Sequence, residues 1–191
     1  MLALNFMHSQ NIIYRDLKPE NILCEDVHKL DSSDEVHVKI ADFGLAIKTQ
    51  QGQRVRSLAG TYMYMAPEQF SGVAYDSKVD IWALGIIAFN LVSGSFPFDW
   101  DRRLQKKEAM KRLADSIRFE QPKLDLLRGV SGLAQAFVTS LLTKCAAERP
   151  SAAELLEHPW MQTLRQSEHV LKAKQIEIGY NLLQFEKTTN A

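Results

Sequence analysis

An α+β fold, mainly α, is predicted by two contrasts along the chain and by its size. Short β-type runs are confined to the first forty positions: Ile12-Ile13, Asn21 to Cys24, and Val36 to Ile40. In the last of these Val36, Val38 and Ile40 alternate with His37 and Lys39, as in a half-buried strand. From Ser77 onward apolar residues recur at helical spacing instead. With 191 residues, 46% hydrophobic and 24% charged, the chain is long enough and apolar enough for one domain with its own core.

Residues 1 to 8 read as the end of a helix, with Leu4 and Met7 or His8 on one side, stopping at Ser9-Gln10-Asn11. Glu25 to Glu35 is polar and acidic, a solvated connection between the second and third strand runs. Residues 42 to 68 carry few large apolar side chains before Leu58 and read as a long loop of the kind that is usually functional. Asp80 to Phe89 is apolar on every side but bounded by Asp80 and Asn90, far short of the roughly 20 residues of a membrane span. It predicts a buried helix over 78–92, ending at Ser93-Gly94. A basic amphipathic helix is expected over 102–117, with Met110, Leu113 and Ile117 inward, and then a core-facing stripe of Leu133, Phe137 and Leu141. Ser151-Ala-Ala-Glu154 is a capping box opening one more helix, which His158-Pro159 stops. Apolar positions from Val170 to Phe185 suggest a helical extension over 162–191, beyond a domain of residues 1–161.

Lys plus Arg equals Asp plus Glu at 23 each, so bulk charge points to neither nucleic acid nor a membrane surface as partner. Cys24 and Cys145 lie far apart with no metal or redox spacing, which reads as two reduced thiols in a cytoplasmic protein. The amino-terminal apolar run is short and lacks a basic leader, unlike a signal peptide.

The chemistry is concentrated in Tyr14-Arg15-Asp16-Leu17-Lys18-Pro19-Glu20-Asn21, followed by Asp42-Phe43-Gly44 and Ala66-Pro67-Glu68. Phosphoryl transfer asks for positioning, charge neutralisation and an oriented hydroxyl. Asp16 can accept or orient a hydroxyl proton, and Lys18, two residues on in an extended segment, can neutralise the moving phosphoryl. Asn21 and Asp42 offer hard oxygen ligands of the type magnesium takes beside phosphate oxygens. Gly44 permits a sharp turn after Phe43. Each motif alone has an ordinary explanation as a salt bridge or a turn; their order and spacing together do not.

Over residues 1–161 the chain resembles the carboxyl-terminal lobe of eukaryotic protein kinases of serine/threonine type. The resemblance implies a protein-kinase-like fold, ATP and Mg2+ as cofactors, and protein substrates. It makes Asp16 and Lys18 catalytic, Asn21 and Asp42 the metal ligands, and Lys18, Asn21, Leu23 and Asp42 the nucleotide-binding residues, Leu23 lying under the adenine. Lys18 and Gly60-Thr61-Tyr62 imply serine/threonine specificity, with the Thr61 hydroxyl reaching Asp16 and Lys18. Glu68 with Arg149 matches a buried ion pair, and Asp80 a residue that anchors the catalytic-loop backbone. Tyr14 replaces the commoner histidine in a hydrophobic spine with Phe43. Arg15 marks the class switched by phosphorylation of the loop, and Ser57 is either the residue that an upstream kinase modifies or a plain loop serine. The resemblance puts Leu58, Tyr62 and Met65 around the substrate residue after the target hydroxyl, and Glu20 where an upstream substrate arginine would pair.

Glu148-Arg149-Pro150-Ser151-Ala152 and Glu157-His158-Pro159-Trp160 are most similar to the calcium/calmodulin-dependent and calcium-dependent group. That similarity makes 162–191 either an autoinhibitory or a packing helix, and calmodulin or a calcium-binding partner a candidate, although no Asp-rich EF-hand loop is present. Thirteen residues precede Tyr14, too few for a glycine loop and its strand lysine. The expectation is a truncated kinase, inactive as an isolated chain; the alternative is a non-catalytic lobe that binds partners or substrates. Apolar surface near Tyr14, Leu23 and Phe43 is expected to be exposed.

Overall fold

A computed structural model of the protein describes residues 1–24, 38–100 and 104–166. The acidic connection 25–35, the first two residues of the Val36 to Ile40 run, Arg102, Arg103 and the extension from 167 lie outside the described residues.

Helix α1 (Leu2–Ser9) buries Leu4 and Met7, the side its apolar spacing selects. Strand β1 (Ile12–Ile13) leads into the Tyr14–Asn21 segment, and β2 (Ile22–Cys24) leaves it. β2 pairs antiparallel with β3 (Val38–Ile40) in the register Ile22↔Ile40, Leu23↔Lys39, Cys24↔Val38. The stretch after β3 is less of a loop than its composition suggests: β4 (Ile47–Lys48) pairs with β1, and Val55 bridges Tyr75. Nor is β3 half-buried in the expected sense, because Val38 is 46% exposed and only Ile22 and Ile40 of this hairpin pack on the core. A two-stranded sheet has one face against the helices and leaves its outer apolar residues open.

Helix α2 (Pro67–Phe70) precedes α3 (Lys78–Ser93), the helix around which the core is built. Val79, Ile81, Trp82, Ala83, Ile86, Ile87 and Phe89 of α3 are all buried, and Gly94 in the left-handed region (φ 66°) ends it. At Gly85 a Cβ would stand 2.8 Å from the Leu141 Cβ, so α3 and α5 (Gly132–Leu141) approach closely only because that position has no side chain. Helix α4 (Lys106–Phe119) starts later than expected and seats Ala109, Leu113, Ser116 and Ile117, with Met110 half-buried at the edge. In α5 the inward stripe is Ala134, Phe137, Val138 and Leu141, and Leu133 is exposed. At about 100° per residue Leu133 sits roughly a quarter-turn off that stripe.

Ser151 and Glu154 form the expected capping box at the start of α6 (Ala152–Leu156), and α7 (Pro159–Gln166) follows. Two apolar clusters result. One joins α1, Tyr14 and Leu17 to α3, α5 and α6; the other surrounds Trp82, which stacks on Phe98 at 5.7 Å, and takes in α4. No helix among the described residues is long and apolar enough to cross a membrane.

Candidate active site

Tyr14 is the hub on which the site is assembled. Its ring is fully buried: Phe43 packs edge-on against it at 5.4 Å, the pairing that the resemblance implied, and its hydroxyl donates to the Ala41 carbonyl. Burial first, and the nearby charges of Asp16, Asp42 and Asp80 after it, push the phenol pKa up against an opposing hydrogen bond to Asn21. One side chain therefore feels all three carboxylates.

The backbone on either side of Tyr14 is held by Asp80 from the first turn of α3. Its Oδ2 accepts from Tyr14 N at 2.9 Å and its Oδ1 from Arg15 N at 2.8 Å, while His8 Nε2 lies 2.8 Å from Oδ2. Such anchoring offsets the strain at Arg15, whose φ of 70° is rare for a residue with a side chain. The site expected of Asp80 is the one it occupies; the contribution of His8 was not anticipated.

Asp16 is only 7% exposed, and every neighbour that touches its carboxylate is a donor. Lys18 Nζ donates to Oδ2 at 2.8 Å, Thr61 Oγ1 to Oδ1 at 2.7 Å, and Asn21 Nδ2 to Oδ2 at 3.2 Å. Lys18 also reaches Thr61 Oγ1 at 3.1 Å, which closes a triangle of Asp16, Lys18 and Thr61. Burial alone raises the Asp16 pKa, but the bonds from Lys18, Thr61 and Asn21 and the Lys18 charge outweigh it and hold the carboxyl below its ordinary value. Lys18 is shifted upward, first by its bond to Asp16. At neutral pH the pair is a carboxylate and an ammonium.

Asn21 closes the short 3-10 turn Pro19–Asn21, and the β2–β3 register then brings Asp42 to it. Ala41 N donates to Asn21 O at 2.9 Å, so Asp42 is the next residue past the paired end of the hairpin. Asp42 is exposed, has φ 57°, and accepts Gly44 N on Oδ1 at 3.1 Å, the sharp turn expected of Asp-Phe-Gly. Asn21 spends its Nδ2 on the Asp16 main-chain carbonyl (3.0 Å) and carboxylate, which leaves its amide oxygen as the acceptor end. An amide oxygen and an open carboxylate are hard donors that suit magnesium sharing its shell with phosphate oxygens. Among the described residues no cluster of three or more His, Cys, Asp or Glu stands ready to hold a metal by protein ligands alone.

Leu23 is 55% exposed on β2, and the Leu45 side chain beyond Asp42 is also open. Arg15 donates from Nε to Leu45 O at 2.6 Å and from NH1 to Ser57 Oγ at 2.8 Å, so the structure joins Arg15 to Ser57. Tyr75 OH, unanticipated, donates to Ser57 O at 2.6 Å. Of the expected substrate-pocket residues, Leu58 is exposed, Tyr62 is half-buried against Phe70 at 5.7 Å, and Met65 is buried. Glu20 is exposed, and its charge acts on both Lys18 and Tyr64. Arg149 is wholly buried and bidentate on Glu68, NH1 to Oε1 at 2.7 Å and NH2 to Oε2 at 3.0 Å. A separate polar cleft of about 260 Å³, lined by residues that include His8, Asn11, Arg54 and Asp76, contains none of the Asp16 group.

Residues 1–161 match the family model described as the protein kinase domain. Over 160 residues the chain is 36% identical to sperm motility kinase 3A of Mus musculus, covering 83% of this chain and 28% of that protein. It is 33% identical over 191 residues to calcium-dependent protein kinase 4 of Plasmodium falciparum, covering 97% of this chain and 34% of that one. With the MAP kinase-interacting serine/threonine-protein kinase 1 of Xenopus tropicalis it shares 35% identity over 184 residues, 84% of this chain and 43% of the relative. The chain thus spans about a third of the length of these curated relatives.

Proposed function

The chain belongs to the protein kinase family, and we propose that it forms the helical lower lobe of a serine/threonine kinase that phosphorylates proteins. The observation that carries this reading is the Asp16–Lys18–Thr61 triangle, with Lys18 Nζ and Thr61 Oγ1 both within 3.1 Å of their partners. Bound magnesium ATP would supply the phosphoryl group and neutralise its charge. Asn21 and Asp42 would hold the metal, with Leu23 lying beneath the adenine. Asp16, whose pKa is held below its ordinary value, would orient the incoming hydroxyl and accept its proton as that oxygen bonds the γ-phosphorus and the bond to the departing ADP oxygen breaks. Lys18 stands beside Asp16 to stabilise charge on the transferring group. Thr61 ties the substrate-binding loop to that pair and favours an aliphatic hydroxyl over a phenol.

The same reading gives Leu58, Tyr62 and Met65 to the residue after the target hydroxyl and Glu20 to an upstream basic residue. It makes Ser57 the target of an upstream kinase, because Arg15 NH1 already lies 2.8 Å from its hydroxyl and a phosphate there would pair with that guanidinium. Likeness to a calcium-dependent protein kinase supports, by analogy alone, a calcium-linked partner for residues 162–191. A cytoplasmic site of action fits the two free cysteines.

The 191 residues contain no Gly-x-Gly-x-x-Gly, and Leu23 and Val38 present open apolar surface of the kind a second lobe would cover. The isolated chain is therefore expected to transfer no phosphate above background. Joined to the glycine-loop lobe of a serine/threonine kinase, it should phosphorylate serine and threonine peptides and not tyrosine peptides, with Asp42→Asn abolishing transfer. Transfer to tyrosine, or a joined chain that remains inert while folded, would contradict the proposal. The second reading, a partner-binding lobe without catalysis, would then stand on the same exposed surface.

A further inference from the structure

Gln69 takes no part in the expected chemistry, yet its side chain is buried and uses both ends of its amide. Oε1 accepts from Ala66 N at 2.9 Å, and Nε2 donates to Ala59 O at 3.1 Å. The amide has a single assignment here, since a main-chain N–H faces one end and a carbonyl the other. The first bond is that of an ordinary helix cap, a Gln at the third position of α2 reaching back to the residue before the helix. A cap needs nothing more. The second bond reaches ten residues back along the chain and bridges the two ends of the 59–66 segment.

What that segment carries explains the bridge. Gly60 has φ 109°, and a Cβ there would lie 2.3 Å from Arg15 O, so the loop is pressed onto the catalytic segment at its entry. Thr61 follows at once and donates to Asp16 Oδ1 at 2.7 Å. Within the loop, Tyr64 N bonds Thr61 O at 2.9 Å and Met65 N bonds Tyr62 O at 3.3 Å, a turn too short to hold its own shape. The loop therefore depends on its ends being held together, and the Gln69 amide holds them.

We propose that Gln69 is a positioning residue whose amide clasps Ala59 to Ala66 and thereby presents Thr61 to Asp16 and Lys18. It rests on the reading of Asp16 and Thr61 as the transfer site for its functional meaning, but the clasp itself is independent of activity. The donor half at Ala59 does the positioning, and the acceptor half at Ala66 only caps α2.

The two halves are separable by substitution. Gln69→Glu keeps an acceptor for Ala66 N and loses the donor to Ala59 O; Gln69→Met keeps the length and loses both. The measurement is made on the 191-residue chain with labelled threonine methyls and amide hydrogen exchange. Gln69→Glu sets a carboxylate against Ala59 O at a buried position, so its melting temperature should fall, and unchanged exchange in α3 and α5 checks that the variant is folded. The Thr61 methyl should lose its cross-relaxation to Asp16, and amides of 59–66 should exchange about tenfold faster, as loss of one buried hydrogen bond would give. Thr139 in α5 should be unaffected in both variants. Gln69→Met should show the same release of Thr61 together with faster exchange at Ala66. Wild-type Thr61 signals and exchange in Gln69→Glu would overturn the proposal, because the cap alone would then suffice; wild-type behaviour in Gln69→Met would overturn the clasp altogether. A chain joined to a glycine-loop lobe that stays inert while its clasp is intact would instead count against the kinase reading, so the two failures are distinct.

Discussion

Two ion pairs of similar length do opposite work in this molecule. Arg149 and Glu68 meet at 2.7 Å and Asp16 and Lys18 at 2.8 Å. Around Arg149 the remaining acceptors are main-chain carbonyls, those of Lys78, Thr143 and Lys144, and the guanidinium is sealed from water over the Trp82 ring. Around Asp16 the partners are side chains, and the Lys18 side chain keeps 22% of its surface open. Fixed partners and full burial make a charge pair part of the scaffold. Rotatable partners at an open face leave a charge pair able to exchange them for a substrate hydroxyl and a phosphate.

That contrast is most easily broken at Arg149. Arg149→Ala leaves Glu68 without its partner and opens three carbonyls, so a loss of about 3–5 kcal/mol is expected. Arg118→Ala, which removes an exposed i,i+3 contact of 3.8 Å to Asp115, should stay within about 0.5 kcal/mol. Chemical denaturation of the two variants checks this, and equal losses would erase the distinction between sealed and open pairs.

A smaller effect tests the packing that supports the sealed region. Gly85→Ala places a methyl within 2.8–2.9 Å of Leu141 and Leu142 and should cost about 1–3 kcal/mol. Gly129→Ala meets nothing within 4 Å and should be close to neutral. Thermal melts of the pair sharpen the claim that α3 and α5 meet through a missing side chain.

The smallest effect is a pH dependence at Lys144, whose main-chain carbonyl accepts from Arg149. Its ammonium lies over Phe98 at 4.2 Å and donates to Ile117 O, and burial, with Arg149 adding to it against Glu120, pushes its pKa down to about 8. A lowered lysine pKa means that the unfolded chain binds more protons between about 8 and the ordinary lysine value near 10.4. The penalty for charging Lys144 is thus present below pH 8 and relieved as pH rises through that window. The wild-type melting temperature should therefore gain on that of Lys144→Met from pH 8 to 10; a constant difference would remove the assignment.

How much of this was legible follows the range of the signals. Motifs that act through fixed local spacing were readable: the capping box at Ser151 and Glu154, the left-handed stop at Gly94, the buried faces of α1 and α3. The roles of Asp80 and Glu68–Arg149 were available only through resemblance, because nothing in a sequence places Arg149 beside a residue 81 positions away. The β1–β4 pair escaped because two-residue strands carry no periodicity. The Tyr14–Phe43 contact was likewise available only through resemblance, and the bond from Tyr14 to Ala41, just past the β2–β3 hairpin, has no sequence signal. Leu133 fitted a four-residue repeat that the true inward stripe of α5 does not follow. Gln69 did leave a trace, a glutamine at the third helical position after Pro67, but the bond to Ala59 has no sequence signal at all.

The central claim is that Asp16 serves chemistry while Arg149 serves the fold, and Asp16→Asn tests it most directly. The variant is compared with wild type in the chain joined to a glycine-loop lobe, by melting temperature and by phosphate transfer to a serine peptide. Asparagine keeps the shape and one acceptor oxygen at this buried position but loses the charge that Lys18 pairs with, so the loss of stability should stay within about 0.5–3 kcal/mol, below that of Arg149→Ala. Transfer should fall by about 10²–10⁴-fold, as loss of a positioned base predicts. A variant that melts as early as Arg149→Ala, or that keeps wild-type transfer, would contradict the account.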